Sequence, residues 1–294
     1  MRGARMGFPR IVCPDSEILL QSFTGLSVAL RLNRCPGIAP GVEHVRKSGN
    51  TLFCVIVDSD RPLADIEFDD HLQGIPLAVM APSLGRFRDL ARQLDRLRTL
   101  NLRVFLPCDH PENLAGLRIL SSVGIHGCAD FRNGGTDWEA LADLATYAVL
   151  ERTPHAAMEP FAFMVANYPG SHRLDWGRVI FDDPRYFLHL DEAGQVALSQ
   201  VELAEGRFVA HNLSEIEAPA EFPPIRERLR SWRDYFVDHH PCASCGGWRL
   251  CLGKFSQNLA AKAGCAEFFL EMIDLVRQHT ARQVAPEERR VWQP

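Results

Sequence analysis

Short runs of apolar, often β-branched residues alternate with amphipathic segments in the first half of the chain. These runs have the length and composition of strands buried on both faces, and they cover residues 51–57, 76–81, 102–106 and 124–130. The amphipathic segments predict helices over residues 84 to about 100, 111–122 and 136 to about 152. Strands separated by helices of this length favour a parallel sheet in an α/β fold, and we expect the sheet to be curved or barrel-like.

Local signals mark where the predicted helices begin. Ser83 is a suitable N-cap for the first helix, because its hydroxyl can accept from a backbone N–H of the first turn. Pro111 suits the first turn of the second helix. Thr136 and Glu139 have the spacing of a capping box at the start of the third.

The pattern changes after Pro154. Residues 154–184 contain five aromatic residues and four prolines, which indicates an irregular connector that either plugs the mouth of the barrel or offers a peptide-binding surface. Residues 186–190 and 195–198 predict a β-hairpin with Gly194 at its turn, and a helix is predicted from 264 to about 282. The predicted domains are an α/β barrel domain over 1–153, the connector over 154–184, and a small α+β domain over 185–294.

The composition excludes several classes of protein. The chain has 294 residues, of which 46% are hydrophobic, so a sizeable core is expected. A net charge of -5 argues against sequence-independent binding of nucleic acid. No segment approaches the ~20 apolar residues of a membrane-spanning helix, and no apolar stretch of a signal peptide follows the basic start. Nine cysteines are too sparse for a disulfide scaffold, so we expect a soluble cytoplasmic protein without a membrane or nucleic-acid partner.

Four cysteines near the end of the chain carry the strongest chemical signal. Cys242 and Cys245 have CxxC spacing, Cys251 follows six residues later, and Cys265 lies at the start of the last predicted helix. Two cysteines at CxxC spacing can direct both sulfurs to one metal centre, and four thiolates suit an iron–sulfur cluster or structural zinc. A redox CxxC accompanied by two buried thiols is the alternative.

The spacing Cys242-x2-Cys245-x5-Cys251 resembles the C-terminal SPASM, or shortened twitch, segment of radical SAM enzymes, most of which modify peptides or proteins. In that family two further cysteines help to bind a first auxiliary cluster, and here their positions are Phe255 and Ser199. The ligands of the second auxiliary cluster are retained. The resemblance therefore implies one 4Fe-4S cluster, with zinc as the alternative, held by Cys242, Cys245, Cys251 and Cys265. His239 and His240 precede the motif and offer a replacement ligand or support for the ligands, or they are ordinary loop residues.

The catalytic half of that family can be compared with the first half of this chain. Radical SAM enzymes hold their catalytic cluster by a CxxxCxxC motif after the first barrel strand, and residues 30–36 resemble the lead-in to it. Cys35 matches the first ligand, but Ala39 and Val42 stand at the other two positions, and neither binds iron. No carboxylate lies at 80–84, where the family contacts S-adenosylmethionine (SAM). The resemblance implies a degenerate, partial, parallel (β/α) barrel of radical SAM type without bound SAM, followed by a SPASM/twitch-like domain.

Three functions remain open. The first is a non-catalytic accessory subunit that binds a precursor peptide or a modifying enzyme, for instance by adding a strand to an edge of the sheet, with no catalytic residue of its own. The second is an electron-transfer protein that serves a partner enzyme through its cluster. The third is an enzyme with a pocket at the carboxyl ends of the strands, formed by Cys108, His110, Cys128 and Asp130, although buried cysteines more simply pack as small apolar side chains.

Overall fold

The computed structural model describes residues 8–131, 135–168, 174, 176–238, 240–253 and 262–288. The strands in these ranges are β1 (Arg10–Pro14), β2 (Ser27–Leu32), β3 (Thr51–Asp58), β4 (Leu77–Met80), β5 (Leu102–Pro107), β6 (His126–Asp130), β7 (Met158–Glu159), β8 (Phe187–Leu190) and β9 (Val196–Ala197). The helices are α1 (Glu17–Gln21), α2 (Ile38–Lys47), α3 (Phe87–Ala91), α4 (Leu94–Thr99), α5 (Pro111–Ser122), α6 (Trp138–Leu150), α7 (Phe161–Asn167), α8 (Gln200–Ala204), α9 (Pro223–Arg230), α10 (Asp234–Val237), α11 (Trp248–Cys251) and α12 (Lys262–Glu288).

The chain divides into two compact units, and each unit is built from two separate stretches. The first unit comprises Met1–Leu106 and Gly177–Ser231, and the second comprises Pro107–Trp176 and Trp232–Pro294. The domain boundaries at residues 153 and 184 stay a prediction from the sequence. None of the helices in the described part of the chain combines the length and the apolar character that crossing a bilayer requires.

Parallel strands dominate the first unit, as the sequence predicts for an α/β fold. The strand order there is β5-β4-β3-β2-β1-β8-β9, and every pair is parallel except the last. Strand β4 is buried along its whole length, and the central residues of β2 and β3 are buried as well, because they present apolar side chains to both faces of the sheet. In the second unit β6 pairs with β7, again in parallel.

One aromatic side chain shows that the sheet of the first unit is strongly curved. The ring of Phe181 lies 5.7 Å from the ring of Phe105 on β5 and 5.4 Å from that of Phe187 on β8 (centroid distances). These two strands are five positions apart, which in a flat sheet is about 24 Å. A single ring contacts both strands because the sheet curls around it. The predicted partial, parallel (β/α) barrel is therefore confirmed in its architecture.

The hairpin predicted after the connector is present. Strands β8 and β9 are antiparallel, with His189 opposite Ala197 and Leu190 opposite Val196. The turn between them contains Gly194 at φ +85°, a conformation that glycine adopts without a steric penalty.

The predicted helix over residues 84–100 is wrong at its start and at residues 92–93, where it is interrupted. Ser83 does not cap a helix: residues 83 and 84 are not helical, and their carbonyl oxygens accept from the N–H groups of Leu63 (2.9 Å) and Ala64 (3.1 Å). Gly85 then turns the chain at φ +78°. The helical stretch begins only at α3 and is interrupted before α4, where the Gln93 side chain donates to the carbonyl oxygen of Ala64 (2.8 Å).

The other two predicted helices of the first half are confirmed. Helix α5 begins at Pro111 and ends at Ser122, as predicted. Helix α6 is capped one residue later than the capping box predicts, because the Asp137 carboxylate accepts from the N–H of Ala140 (3.0 Å). The connector, predicted to be irregular, contains two regular elements, β7 and α7.

Candidate functional site

The four cysteines of the predicted ligand set lie in or next to two short helical turns and on the last helix. Cys242 is in a 3₁₀ turn (Pro241–Ser244), Cys245 directly follows it, and Cys251 is the last residue of α11. Cys265 lies in the first turns of α12. The Cys251 side chain is buried, whereas the other three are half-buried.

Hydrogen bonds fold the CxxC segment into a tight turn. The Cys242 N–H donates to Nδ1 of His240 (3.1 Å), so this histidine caps the turn. The Cys245 N–H donates to the carbonyl oxygen of Cys242 (3.2 Å), and the next turn follows at once from Cys245 to Trp248 (3.1 Å). His240 thus contacts the backbone of the motif, where its ring accepts a hydrogen bond. His239 lies outside the described residues.

The backbone after Cys251 is arranged around its sulfur. Leu252 has a left-handed conformation (φ +53°) and Gly253 follows at φ +77°. This turn directs the Gly253 N–H at Sγ of Cys251, to which it donates (3.2 Å). A hydrogen bond to sulfur favours the thiolate over the thiol, and the thiolate is the form that binds metals.

Two glycines allow the motif to lie directly on helix α12. A Cβ atom at Gly247 would lie 2.4 Å from Cβ of Phe269, and one at Gly246 would lie 2.9 Å from Cδ2 of Leu270. Only glycine permits so close an approach of backbone and helix. The cysteine motif and the helix that carries Cys265 are therefore packed against each other.

Close packing of the segments does not by itself assemble a metal centre. Within the described residues, no group of three or more Cys, His, Asp or Glu side chains is placed to hold a metal ion. The described side chains thus do not form a four-thiolate set, although the backbone around Cys251 suits a thiolate. Phe255 falls outside the described residues, and the predicted cluster and its four ligands stay predictions.

Ser199, at which the resemblance predicts a cluster ligand of the SPASM family to be missing, has a structural contact of its own. Its hydroxyl accepts from the N–H of Glu202 (3.1 Å) and so caps helix α8, and the residue is 4% exposed. Serine at this position is explained by capping, because the short helix needs an acceptor for its first N–H groups.

The segment after β2 is helical where the radical SAM family has its catalytic cysteines. Cys35 begins a 3₁₀ turn (Cys35–Gly37), and Ala39 and Val42 lie on α2, with Val42 packed in the core at 3% exposure. Burial raises the pKa of the Cys35 thiol to about 11, which keeps it protonated at neutral pH.

The carboxyl ends of β2 and β3 are joined by the chain's own side chains. Arg31 at the end of β2 forms an ion pair with Asp58 at the end of β3 and also donates to the Gln200 side chain of α8. Deeper in the same unit, Nε2 of His189 donates to the carbonyl oxygen of Phe181 (2.8 Å), which fixes the ring that fills the curved sheet. Phe181 is one of the connector's aromatic residues, and whether the connector plugs the barrel mouth or binds a peptide stays a prediction.

Sequence reasoning missed this arrangement, although part of it left a signal. Arg31 and Asp58 are the charged residues at the ends of two otherwise apolar strands, and parallel neighbours place such ends side by side. The contribution of Gln200 comes from a helix far along the chain, and no local pattern marks it.

The alternative pocket at the strand ends brings three of its four residues into a buried cluster. Cys108, Cys128 and Asp130 are buried, and the Cys108 N–H donates to the carbonyl oxygen of Asp130 (3.0 Å). Burial, and then the nearby Asp130, Cys128 and Asp109, raise the pKa of the Cys108 thiol well above its usual value. The fourth residue, His110, is exposed at the start of α5. A protonated, inaccessible thiol is a poor nucleophile, so this cluster resembles core packing more than an active site.

Comparisons with known proteins give few matches. No protein-family model matches the sequence, and no curated protein matches it either. Among solved structures, the chain is similar to the crystal structure of Streptococcus suis SuiB, at 14% sequence identity and a TM-score of 0.45, over 76% of this chain and 68% of that one. It is also similar to Streptococcus suis SuiB bound to S-adenosylmethionine, at 14% identity and a TM-score of 0.43, over 76% of this chain and 66% of that one.

Proposed function

We propose that this protein is a non-catalytic, radical-SAM-like accessory subunit that binds a precursor peptide or the enzyme that modifies it. The observation that carries the proposal is the contact of Arg31 with Asp58 and Gln200. In parallel α/β folds, ligands bind at the carboxyl ends of the strands. Here the chain's own ion pair occupies part of that end of the sheet, which supports the proposal that no cofactor binds there.

The residues after β2 support the loss of SAM chemistry. A 4Fe-4S cluster is held by several thiolates, and this segment offers only Cys35, whose thiol is protonated. Val42 at a lost ligand position is part of the core of α2. An iron centre there would require α2 to unfold.

The proposal assigns the remaining metal chemistry to the cysteine motif. Cys242, Cys245, Cys251 and Cys265 would hold one 4Fe-4S cluster, or zinc, as a structural cross-link between the motif and α12. The hydrogen bond from Gly253 to the Cys251 sulfur supports this assignment, because it stabilises a thiolate.

Strand addition at β9 does not suit the structure. The Val196 N–H donates to the carbonyl oxygen of Ala210 (2.9 Å), and the Val209 N–H donates to the carbonyl oxygen of Val196 (2.8 Å). The backbone groups that an added strand would use at Val196 are therefore taken by the chain itself. At this edge the proposed partner therefore contacts side chains, and strand addition is proposed only at the other edge strand, β7.

Incubation with SAM tests the loss of catalysis. The anaerobically purified and iron-reconstituted protein is incubated with SAM and dithionite, and 5′-deoxyadenosine is quantified by chromatography. We expect none above the level without protein. Formation of 5′-deoxyadenosine that is lost in Cys35→Ser but kept in Cys54→Ser would overturn the proposal.

Metal analysis of the same preparations tests the cysteine motif. We expect iron and sulfide, or zinc alone, in the parent protein, and a loss of most of that metal in Cys245→Ser. Cys54→Ser is the matched control, because Cys54 is buried in β3 and should leave the metal content unchanged. Equal metal content in all three proteins would contradict the assigned ligands.

Electron transfer remains a second candidate, because Cys242 and Cys245 are half-exposed and a cluster there would lie near the surface. Reversible reduction of the reconstituted protein, with a rate that depends on a partner enzyme, would favour it. A zinc-filled or redox-silent site would eliminate it.

A further inference from the structure

Helices α6 and α12 of the second unit run side by side and in the same direction. At one end, a Cβ atom on Gly264 would lie 2.6 Å from Cδ1 of Trp138, so the helices are closest there. At the other end, Nδ1 of His279 donates to the carbonyl oxygen of Val149 (2.9 Å). Between these contacts the helices enclose an open groove, whose length is about 17–22 Å at 1.5 Å per residue.

Carboxylates line both walls of this groove at helical spacing. Glu139 and Asp143 are one turn apart on α6, and Glu267, Glu271 and Asp274 follow one another on α12. All five are exposed, and no Lys, Arg or His is among the residues that line the groove. Asp274 forms an exposed ion pair with Arg277 (3.4 Å), whereas the other four form none among the described residues.

The floor of the groove is apolar. It is formed by half-buried Trp138, Ala142 and Leu275 and by the buried ring of Phe268. The rings of Trp138 and Phe268 pack at a centroid distance of 5.5 Å, so the floor is held rigidly between the two helices. An apolar floor between charged walls suits a ligand that is itself amphipathic.

We propose that this groove binds an amphipathic helix of a partner protein, with an apolar stripe on the floor and Lys or Arg side chains along both walls. The groove is long enough for about three to four helical turns. Like charges one turn apart repel each other on a helix, and a cationic occupant removes that repulsion. The proposal goes beyond the accessory function and does not rest on it, because the groove is formed by α6 and α12 whether or not the motif binds a cluster.

Other occupants fit the groove less well. The carboxylates are not gathered into a metal site, since no group of three or more suitable side chains in the described part of the chain is placed to hold a cation. An anionic membrane surface or nucleic acid would be repelled by five negative charges. A cationic peptide helix satisfies the walls and the floor together.

The test uses the full-length protein and two synthetic helical peptides of 14 residues. Both peptides carry a leucine stripe, flanked by lysines in one and by glutamates in the other, and both are labelled for fluorescence anisotropy. We expect the parent protein to bind the lysine peptide only, with affinity that falls as salt is raised. The double variant Glu267→Lys/Glu271→Lys should bind the lysine peptide at least about tenfold more weakly, because two of the five carboxylates are replaced by positive charges.

The control variant has the same change of net charge away from the groove. Glu217 and Glu221 are exposed residues of the first unit, and Glu217→Lys/Glu221→Lys should bind both peptides as the parent protein does. An equal loss of affinity in this control would show attraction by net charge alone and would overturn the proposal. Unchanged binding of the lysine peptide by the groove variant, or self-association of the parent that only this variant abolishes, would overturn it as well.

Discussion

The thiols of the first unit are kept in their neutral form by burial. The pKa of Cys13 is raised to about 12, chiefly by burial and further by Asp15. The pKa of Cys54 is also raised to about 12 by burial, although Arg10 and Arg103 act in the opposite direction. Both side chains therefore behave as small apolar groups of the sheet rather than as nucleophiles or ligands.

This burial predicts that stability falls at alkaline pH. Above pH 9 the thiol of Cys54 ionises in the unfolded chain but not in the folded one, so the unfolded state binds fewer protons and the free energy of unfolding decreases up to about pH 12. The loss should be about 1.4 kcal/mol per pH unit for this thiol. Denaturant unfolding of the parent and of Cys54→Val between pH 8 and 10.5 measures it. Equal pH slopes in the two proteins would contradict the prediction.

Ser199 has a structural role that the structure itself shows, because its hydroxyl caps helix α8. We expect Ser199→Ala to lower the free energy of unfolding by about 1 kcal/mol, because the N–H of Glu202 loses its acceptor in a buried place. Ser199→Thr keeps the hydroxyl and serves as the matched control. Chemical denaturation gives both values, and an equal loss in the two variants would show that packing rather than capping matters here.

At the scale of elements, the break before α3 is set by contacts rather than by local preference. Gly85 has a positive φ, and a Cβ atom there would lie 2.9 Å from Cβ of Pro62 and 3.0 Å from Cβ of Ala64. The residues before α3 therefore pack against the turn at 62–65, and this contact keeps them out of the helix.

Gly74 and Gly85 have nearly the same φ, so their alanine variants distinguish the cost of backbone strain from the cost of a steric clash. Gly74 has φ +79° and no atom within 4 Å of a Cβ position, so Gly74→Ala should cost about 1 kcal/mol of stability through its backbone alone. Gly85→Ala should cost about 3 kcal/mol, because the clash adds to the same strain. Thermal and denaturant unfolding of both variants provide the comparison. Equal losses would mean that Pro62 and Ala64 move aside.

These elements show how far local sequence carries a prediction. Helix α5 begins and ends as predicted, because Pro111 favours a helix start and Gly124, just after the helix, allows the chain to turn away. The interruption around α3 is invisible in the sequence, because the partners of residues 83–85 lie about twenty residues earlier. The cysteine spacing likewise predicts the turns of the motif, whereas the contacts of Arg31 and Phe181 are made with distant segments and leave no local pattern.

At the scale of the whole molecule, the curved sheet of the first unit depends on the ring it encloses. Phe181 contacts β5 and β8 at once, and it is 9% exposed. The interior of this sheet is therefore occupied by the chain itself, as the proposed loss of catalysis requires.

Removal of that ring should be costly. We expect Phe181→Ala to lower the free energy of unfolding by about 3–5 kcal/mol, since it leaves a cavity between strands that are five positions apart. Phe236→Ala is the matched control, because Phe236 is 47% exposed and should cost less than about 1 kcal/mol. Denaturant unfolding followed by circular dichroism measures both. A loss below about 1 kcal/mol for Phe181→Ala would show that the sheet closes without its filling.

The residues at 209 and 210 have a consequence for the protein in concentrated solution. They cover the backbone of Val196, so a neighbouring molecule finds no open row of amide and carbonyl groups there to copy. Edge-to-edge hydrogen bonding between the sheets of two molecules, the first step towards a fibril, is therefore blocked at this edge by the chain's own residues.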